Sequence, residues 1–158
     1  MKTSHVLVIA YGNPLRGDDC LAWRAADALV KKLAPPQVEV FRCHQLVPEL
    51  ADKMAQFETV IFVDAAIAAK GAQPGDVRVE EIHPQDTLAA AVRFSHQLSP
   101  ATLLSMAALL YGAMPRAYVA TITGESFETG VSVSSAVERA LPELVRRIEE
   151  LVGETQLV

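Results

Sequence analysis

At 158 residues the chain has the length of one domain. Its content, 51% hydrophobic and 21% charged, suits a covered core and excludes a disordered segment. The formal net charge of -5 argues against a nucleic-acid surface, which needs a basic face. The two local basic clusters, Lys31-Lys32 and Arg146-Arg147, fall on expected helix surfaces. No apolar stretch is long enough to span a bilayer, and the N-terminal apolar run is shorter than a signal-peptide core. Cys20 and Cys43 lack C-x-x-C spacing, which fits free thiols in a reducing compartment. The expectation is a single domain over residues 1–158, cytoplasmic, with neither nucleic acid nor membrane as partner.

The first strand is expected at His5 to Ala10, an apolar run without alternation and therefore buried on both faces. A tight polar loop, YGNPLRGDD, follows, and helix one is expected from Asp19 to Leu33. Leu21, Ala25, Ala28, Leu29 and Leu33 share one face at helical spacing. The acidic pair Asp18-Asp19 suits the positive end of the helix dipole, and Lys31-Lys32 the negative end. Pro35-Pro36 stop the helix.

Val38 to Phe41 reads as strand two, and Pro48 to Phe57 as a short helix with proline in its first turn. Strand three is TVIFV, Thr59 to Val63, with Asp64 at its C-terminal end. Gln73-Pro74-Gly75-Asp76 is a turn. Val77, Val79 and Ile82 then mark a half-exposed strand four. The link before it is too short for a parallel crossover, so strand four is expected to run antiparallel.

Ser99 as N-cap and Pro100 in the first turn open a helix to Tyr111, ended by Gly112. It is apolar nearly all round and expected to be well buried. Strand five is Ala117 to Ile122. Ser134 caps a last helix reaching Val152, in which Pro142 is expected to cause a kink or restart. The order β-α-β-α-β-β-α-β-α predicts a three-layer α/β/α domain. Its sheet should be twisted and mostly parallel, with five strands and one antiparallel member.

Three places combine a strand end or loop with a side chain able to bind a metal: Asp18-Asp19, Asp64, and His96 in FSHQLS. Strands one and three are normally neighbours in a doubly wound sheet, so their C-terminal ends converge where such folds bind ligands. Two carboxylates and an imidazole would make an O,O,N site with open positions, suited to nickel, zinc or iron. Each residue also has a structural reading. Asp18 reads as a helix cap. Asp19 cannot serve the same cap and is more open to a site role. For Asp64 a cap or turn role and a ligand role stand equal. His5, His44 and His83 read as structural or surface residues.

Other templates fail. No P-loop, G-x-G-x-x-G, H-E-x-x-H or G-x-S-x-G pattern is present. Cys20, at a helix start, has no local histidine partner and reads as a small packed side chain.

These residues resemble the nickel-iron hydrogenase maturation endopeptidases over nearly the whole chain. The resemblance rests on GNPLRGDD (Gly12 to Asp19), VIFVDA (Val60 to Ala65), SHQLSP (Ser95 to Pro100) and ITGESFETGVSVS (Ile122 to Ser134). HQLVPEL (His44 to Leu50) looks like the branch of the family with a Gln-Leu motif in place of a Gly-rich one. The resemblance implies an aspartyl-type endopeptidase that cuts a C-terminal extension from the nickel-loaded large-subunit precursor of a hydrogenase. It implies that Asp19, Asp64 and His96 bind nickel carried by that substrate, and that other divalent ions such as zinc or cadmium can occupy the site. Asp19 and Asp64 are the implied catalytic carboxylates. Gly12, Asn13, Arg16 and Glu125 are candidates for shaping the loop or binding substrate, and the chain is expected to be a monomer.

The family usually has glycine where this chain has Cys20 and Ala22, and both are small enough to keep the geometry. Two alternatives use the same scaffold: a non-proteolytic nickel-binding maturation chaperone or adaptor, and a small-molecule hydrolase.

Overall fold

The computed structural model describes residues 6–33, 37–68, 70–84 and 98–156. Strand β1 spans Val6–Tyr11. A single 3-10 turn, Gly17–Cys20, leads into helix α1 at Leu21–Lys32. Strand β2 (Val38–Cys43), the short helix α2 (Leu50–Met54) and strand β3 (Thr59–Ala66) follow. Then come strand β4 (Val77–Ile82), helix α3 (Pro100–Tyr111), strand β5 (Arg116–Thr123) and helix α4 (Ser135–Gln156).

The five strands form one sheet in the order β2-β1-β3-β5-β4. Four are parallel, and β4 pairs antiparallel with β5, Val77 opposite Ile122 and Ile82 opposite Ala117. The short Gly/Pro link before β4 has this consequence, because it cannot carry the chain back for a parallel crossover. The centre of the sheet is buried: Val6 to Ala10 and Val60 to Val63 have no exposed surface. Covered on both faces, these strands need apolar residues at successive positions rather than alternation.

Each face has its own core. On one side Val8, Ala10, Ile61 and Val63 pack against Leu21, Ala25 and Leu29 of α1 and Val137, Leu144 and Ile148 of α4. On the other, Leu7, Ile9, Val60 and Phe62 pack against Leu50 and Met54 of α2 and Leu103, Leu104 and Ala107 of α3. These are the three layers expected of an α/β/α fold.

Helix α3 starts and stops as its sequence dictates. Ser99 Oγ accepts the Thr102 N–H at 3.1 Å, Pro100 sits in the first turn, and Gly112 takes φ 63°. Its expected burial is only partly met. Leu109, Leu110 and Tyr111 in its last turn are 68%, 60% and 51% exposed.

Other bounds shift as well. Helix α2 keeps one turn and a half of the span expected from Pro48 to Phe57. Strand β3 continues through Asp64 to Ala66, since β5 still offers Thr121 to Thr123 as partners there. Helix α4 runs unbroken through Pro142. His5 lies outside the described residues.

No described helix is long and apolar enough to cross a membrane.

Candidate active site

The site lies at the C-terminal edge of the sheet, where β1 and β3 end side by side. Their parallel register runs from Val6 opposite Thr59 to Ala10 opposite Val63. The next step places Tyr11 beside Asp64. Beyond Tyr11 the chain turns through Gly12, Asn13, Pro14, Leu15 and Arg16 into the 3-10 turn that carries Asp18 and Asp19. The sheet geometry therefore brings Asp19 and Asp64 to one edge from positions far apart in sequence.

Gly12 makes the turn possible. Its φ is 149°, and a Cβ there would collide with the Asp19 backbone carbonyl and lie 3.0 Å from Asp19 Oδ1. Only glycine lets the backbone come so close to that carboxylate. The Gly12 carbonyl accepts Trp23 Nε1–H at 2.9 Å, and its N–H donates to the Cys43 carbonyl at 3.2 Å. The loop is thus pinned to both α1 and β2.

Asn13 donates its backbone N–H to Asp19 Oδ2 at 2.6 Å, while its side-chain Oδ1 accepts the Leu15 N–H at 2.9 Å. That second bond is an Asx turn. Among the described residues only glycines have positive φ, so Asn13 shapes the loop through its side chain rather than through left-handed backbone.

Asp18 and Asp19, adjacent in sequence, differ completely in surroundings. Asp18 has no exposed surface. Its Oδ2 accepts the N–H groups of Glu125 (2.6 Å) and Ser126 (3.1 Å) and the Ser134 hydroxyl (2.8 Å), and its Oδ1 accepts the Ser134 N–H (2.7 Å). Burial opposes its charge, but these donors outweigh burial and hold the carboxyl below its ordinary value. Asp18 does not cap α1, since no side-chain cap bond closes that helix. It is a clasp that ties the 3-10 turn to the segment between β5 and α4.

The same segment is held by the Asp18 N–H to the Ser126 carbonyl, 2.8 Å, and by the bridge between Arg16 and Thr129. A Cβ on Gly17 would strike the Ser126 carbonyl at 2.5 Å, so that crossing too depends on glycine.

Asp64 is half-buried near the end of β3. Ala65 N–H donates to its Oδ1 at 2.7 Å, and the Tyr11 hydroxyl donates to the same carboxylate. Burial pushes its carboxyl up to about 6. The two donors pull against that rise, and the nearby Asp19 adds to it. Burial and the adjoining carboxylate likewise push the Tyr11 phenol far above its ordinary value, so it stays a neutral donor. A carboxyl poised near neutrality, beside a second carboxylate at an open sheet edge, is suited to exchanging a proton or meeting a cation.

Among the described residues no three His, Cys, Asp or Glu side chains gather to hold a metal ion. His96 lies outside the described residues. The described residues continue from Leu98, and Ser99 caps α3. Four residues separate the end of α3 from β5, so its C-terminus lies at the N-terminal edge of the sheet. The start of α3 must then point toward the edge that carries Asp19 and Asp64.

Glu125 gives its backbone to Asp18, and its side chain is exposed. Arg16 is exposed on the same loop as Asp19. Cys20 is a free, half-buried thiol pushed up by burial, which makes it a poor nucleophile. Ala22 is fully buried against the sheet, where a small side chain is required.

Two residues escaped sequence reasoning. Tyr11 read as the first residue of the polar loop, whereas it is the last residue of β1, and aligning β1 with β3 by length would have exposed its place beside Asp64. His44, taken as a bystander, stacks edge-on against Trp23 at 5.6 Å, next to the Gly12 loop. Only the β1–β2 register reveals that neighbourhood.

This fold is that of solved hydrogenase maturation endopeptidases. The hydrogenase maturating endopeptidase HybD from E. coli superposes with a TM-score of 0.77 at 23% identity, over 96% of this chain and 93% of that one. The maturation protease HycI from Thermococcus kodakarensis gives 0.74 at 23% identity, over 94% and 92%. The hydrogenase 2 maturation peptidase of a Thaumarchaeota archaeon gives 0.70 at 24% identity, over 94% and 98%. No curated protein matches the chain. The family model for the hydrogenase maturation protease HycI matches residues 23–151. The chain belongs to the hydrogenase maturation protease family and is a peptidase.

Proposed function

We propose that the protein is an aspartyl-type endopeptidase of the cytoplasm, acting as a monomer. Its substrate is the nickel-loaded large-subunit precursor of a nickel-iron hydrogenase, from which it removes a C-terminal extension. The observation that carries this reading is the convergence of Asp19 and Asp64 at the sheet edge, with Asp64 poised at about 6. Family membership supplies the reaction class. The precursor brings the nickel as part of the substrate, and Asp19, Asp64 and His96 receive it. The donor set fits that ion, because two carboxylates and an imidazole suit a borderline divalent metal and leave positions for the substrate.

The cut itself is a hydrolysis. A water oxygen attacks the scissile carbonyl carbon while Asp64 accepts the water's proton. The carbon–nitrogen bond then breaks, and the departing amine takes that proton. Without nickel the Asp64 carboxyl lies near 6, so it is mostly ionised at pH 7 and ready for the ion; with one oxygen on the ion, its other oxygen is the one that takes the water's proton. Asp19, Asp64 and His96 would hold the precursor's nickel at the same edge, where it would supply Lewis-acid polarisation of the carbonyl. Asn13 and Gly12 hold Asp19 in place, and the exposed Arg16 and Glu125 flank the entry for the substrate chain.

Mass spectrometry of a nickel-loaded precursor incubated with the protein tests this reading. Loss of one defined C-terminal peptide is expected. A precursor that binds but stays intact would point to a chaperone or adaptor instead.

A further inference from the structure

Asp19 and Asp64 are held differently. Asp19 takes its hydrogen bond from a backbone group, Asn13 N–H, which no substitution at position 13 other than proline would remove. Asp64 takes one from the backbone of Ala65 and one from a side chain, the Tyr11 hydroxyl. The aspartate χ2 torsion is broad, so a carboxylate with one donor swings through a wide arc. Two donors on separate elements, β1 and β3, fix its plane.

Tyr11 is well placed for this. It is half-buried, packs against the core on the α2–α3 face, and stands one step past the Ala10–Val63 pair. Phenylalanine would fill the same space equally well, so packing does not explain the hydroxyl. Neutral tyrosine in this setting can only donate to an ionised partner. Its donation takes up one acceptor position of Asp64, whose carboxylate lies close enough to Asp19 to feel its charge.

We propose that Tyr11 is a positioning residue, whose hydroxyl aims the Asp64 carboxylate at the reacting water and the scissile carbonyl. A hydrogen-bond partner of this kind is typically worth about 10- to 100-fold in activity or metal affinity. The kinetic part of the proposal rests on the hydrolytic reading given above, and the structural part does not.

The test uses the full chain with Tyr11→Phe, Asp64→Asn and the double variant. Thermal unfolding of Tyr11→Phe should lie within a few degrees of the native protein, since packing is retained. Its crystal structure should show β1 and β3 unmoved and the Asp64 carboxylate rotated or spread over several orientations. An Asp64 carboxylate in its native orientation would overturn the proposal, whatever the protein cleaves.

In cleavage of the nickel-loaded precursor, Tyr11→Phe should lower kcat about 10- to 100-fold with KM nearly unchanged. In the double variant the tyrosine substitution should cost little more than Asp64→Asn alone, because Tyr11 acts through Asp64. Equal cleavage by Tyr11→Phe, or fully multiplicative losses in the double variant, would overturn the proposal. A native protein that cleaves nothing would instead overturn the proposed function, and the crystal structures would still decide the role of Tyr11.

Discussion

Replacing Asp64 by asparagine should destroy activity and stabilise the protein. Burial chiefly, with help from Asp19, raises the Asp64 carboxyl from an ordinary value of 3.8 to about 6. In the unfolded chain the group ionises near 3.8, so between these values the native state binds the extra proton. Stability associated with Asp64 is therefore full below pH 3.8 and is lost as pH rises to about 6. At pH 7 the ionised carboxylate costs about 3 kcal/mol relative to an unperturbed one.

Asparagine removes the charge and keeps the shape. Its Oδ1 still accepts from Ala65 N–H, and its amide can donate to the Tyr11 oxygen. A gain of about 1–3 kcal/mol at pH 7 follows, or about 3–10 °C in Tm for a domain of this size. At pH 4.5 native Asp64 is protonated, and the gain should shrink to about a third. Urea and thermal unfolding of both proteins at the two pH values, with EDTA present, measures it. An Asp64→Asn protein no more stable at pH 7, or a gain identical at both pH values, would refute the reasoning.

Asp18→Ala should behave oppositely: it strands the Glu125, Ser126 and Ser134 N–H groups and costs about 3–5 kcal/mol, read from urea unfolding at pH 7. Because the Asp18 carboxyl is held below its ordinary value, its contribution is present above pH 3.8 and fades as pH falls through that lower value; acid unfolding of the native protein should be steeper there than that of Asp18→Asn. Gly12→Ala should displace Asp19 and lower stability by about 1–3 kcal/mol, with cleavage falling more than the unfolding midpoint predicts. Cys20 should react slowly with iodoacetamide at pH 7, and Cys20→Ala should cleave within a few-fold of the native rate.

Much of the fold was legible because its signals are local. The unbroken apolar runs at Val6 and Thr59 mark strands covered on both faces. Ser99-Pro100 and Gly112 bracket α3, and the short link before Val77 forces β4 antiparallel. Less legible were features decided by partners far away in sequence. Strand β3 passes through Asp64 because β5 extends beside it as far as Thr123. The last turn of α3 is exposed because none of the described residues covers it.

The site divides in the same way. Strand-end logic placed Asp19 and Asp64 together. It misread Asp18, whose donors lie more than a hundred residues onward and could not be seen from a cap motif. It passed over Tyr11, which reads as the start of the polar loop until the register adds it to β1 and sets it beside a carboxylate.

The central claim is that the paired carboxylates at this edge perform a nickel-dependent cut. The most direct measurement is the cleavage rate on nickel-loaded and nickel-free precursor, followed by mass spectrometry, for the native protein, Asp19→Ala and Asp64→Asn. Release of one C-terminal peptide by the native protein, from the loaded precursor alone, with both variants inactive but folded, is the predicted result. Equal cleavage by either folded variant, or cutting indifferent to nickel, would contradict the account.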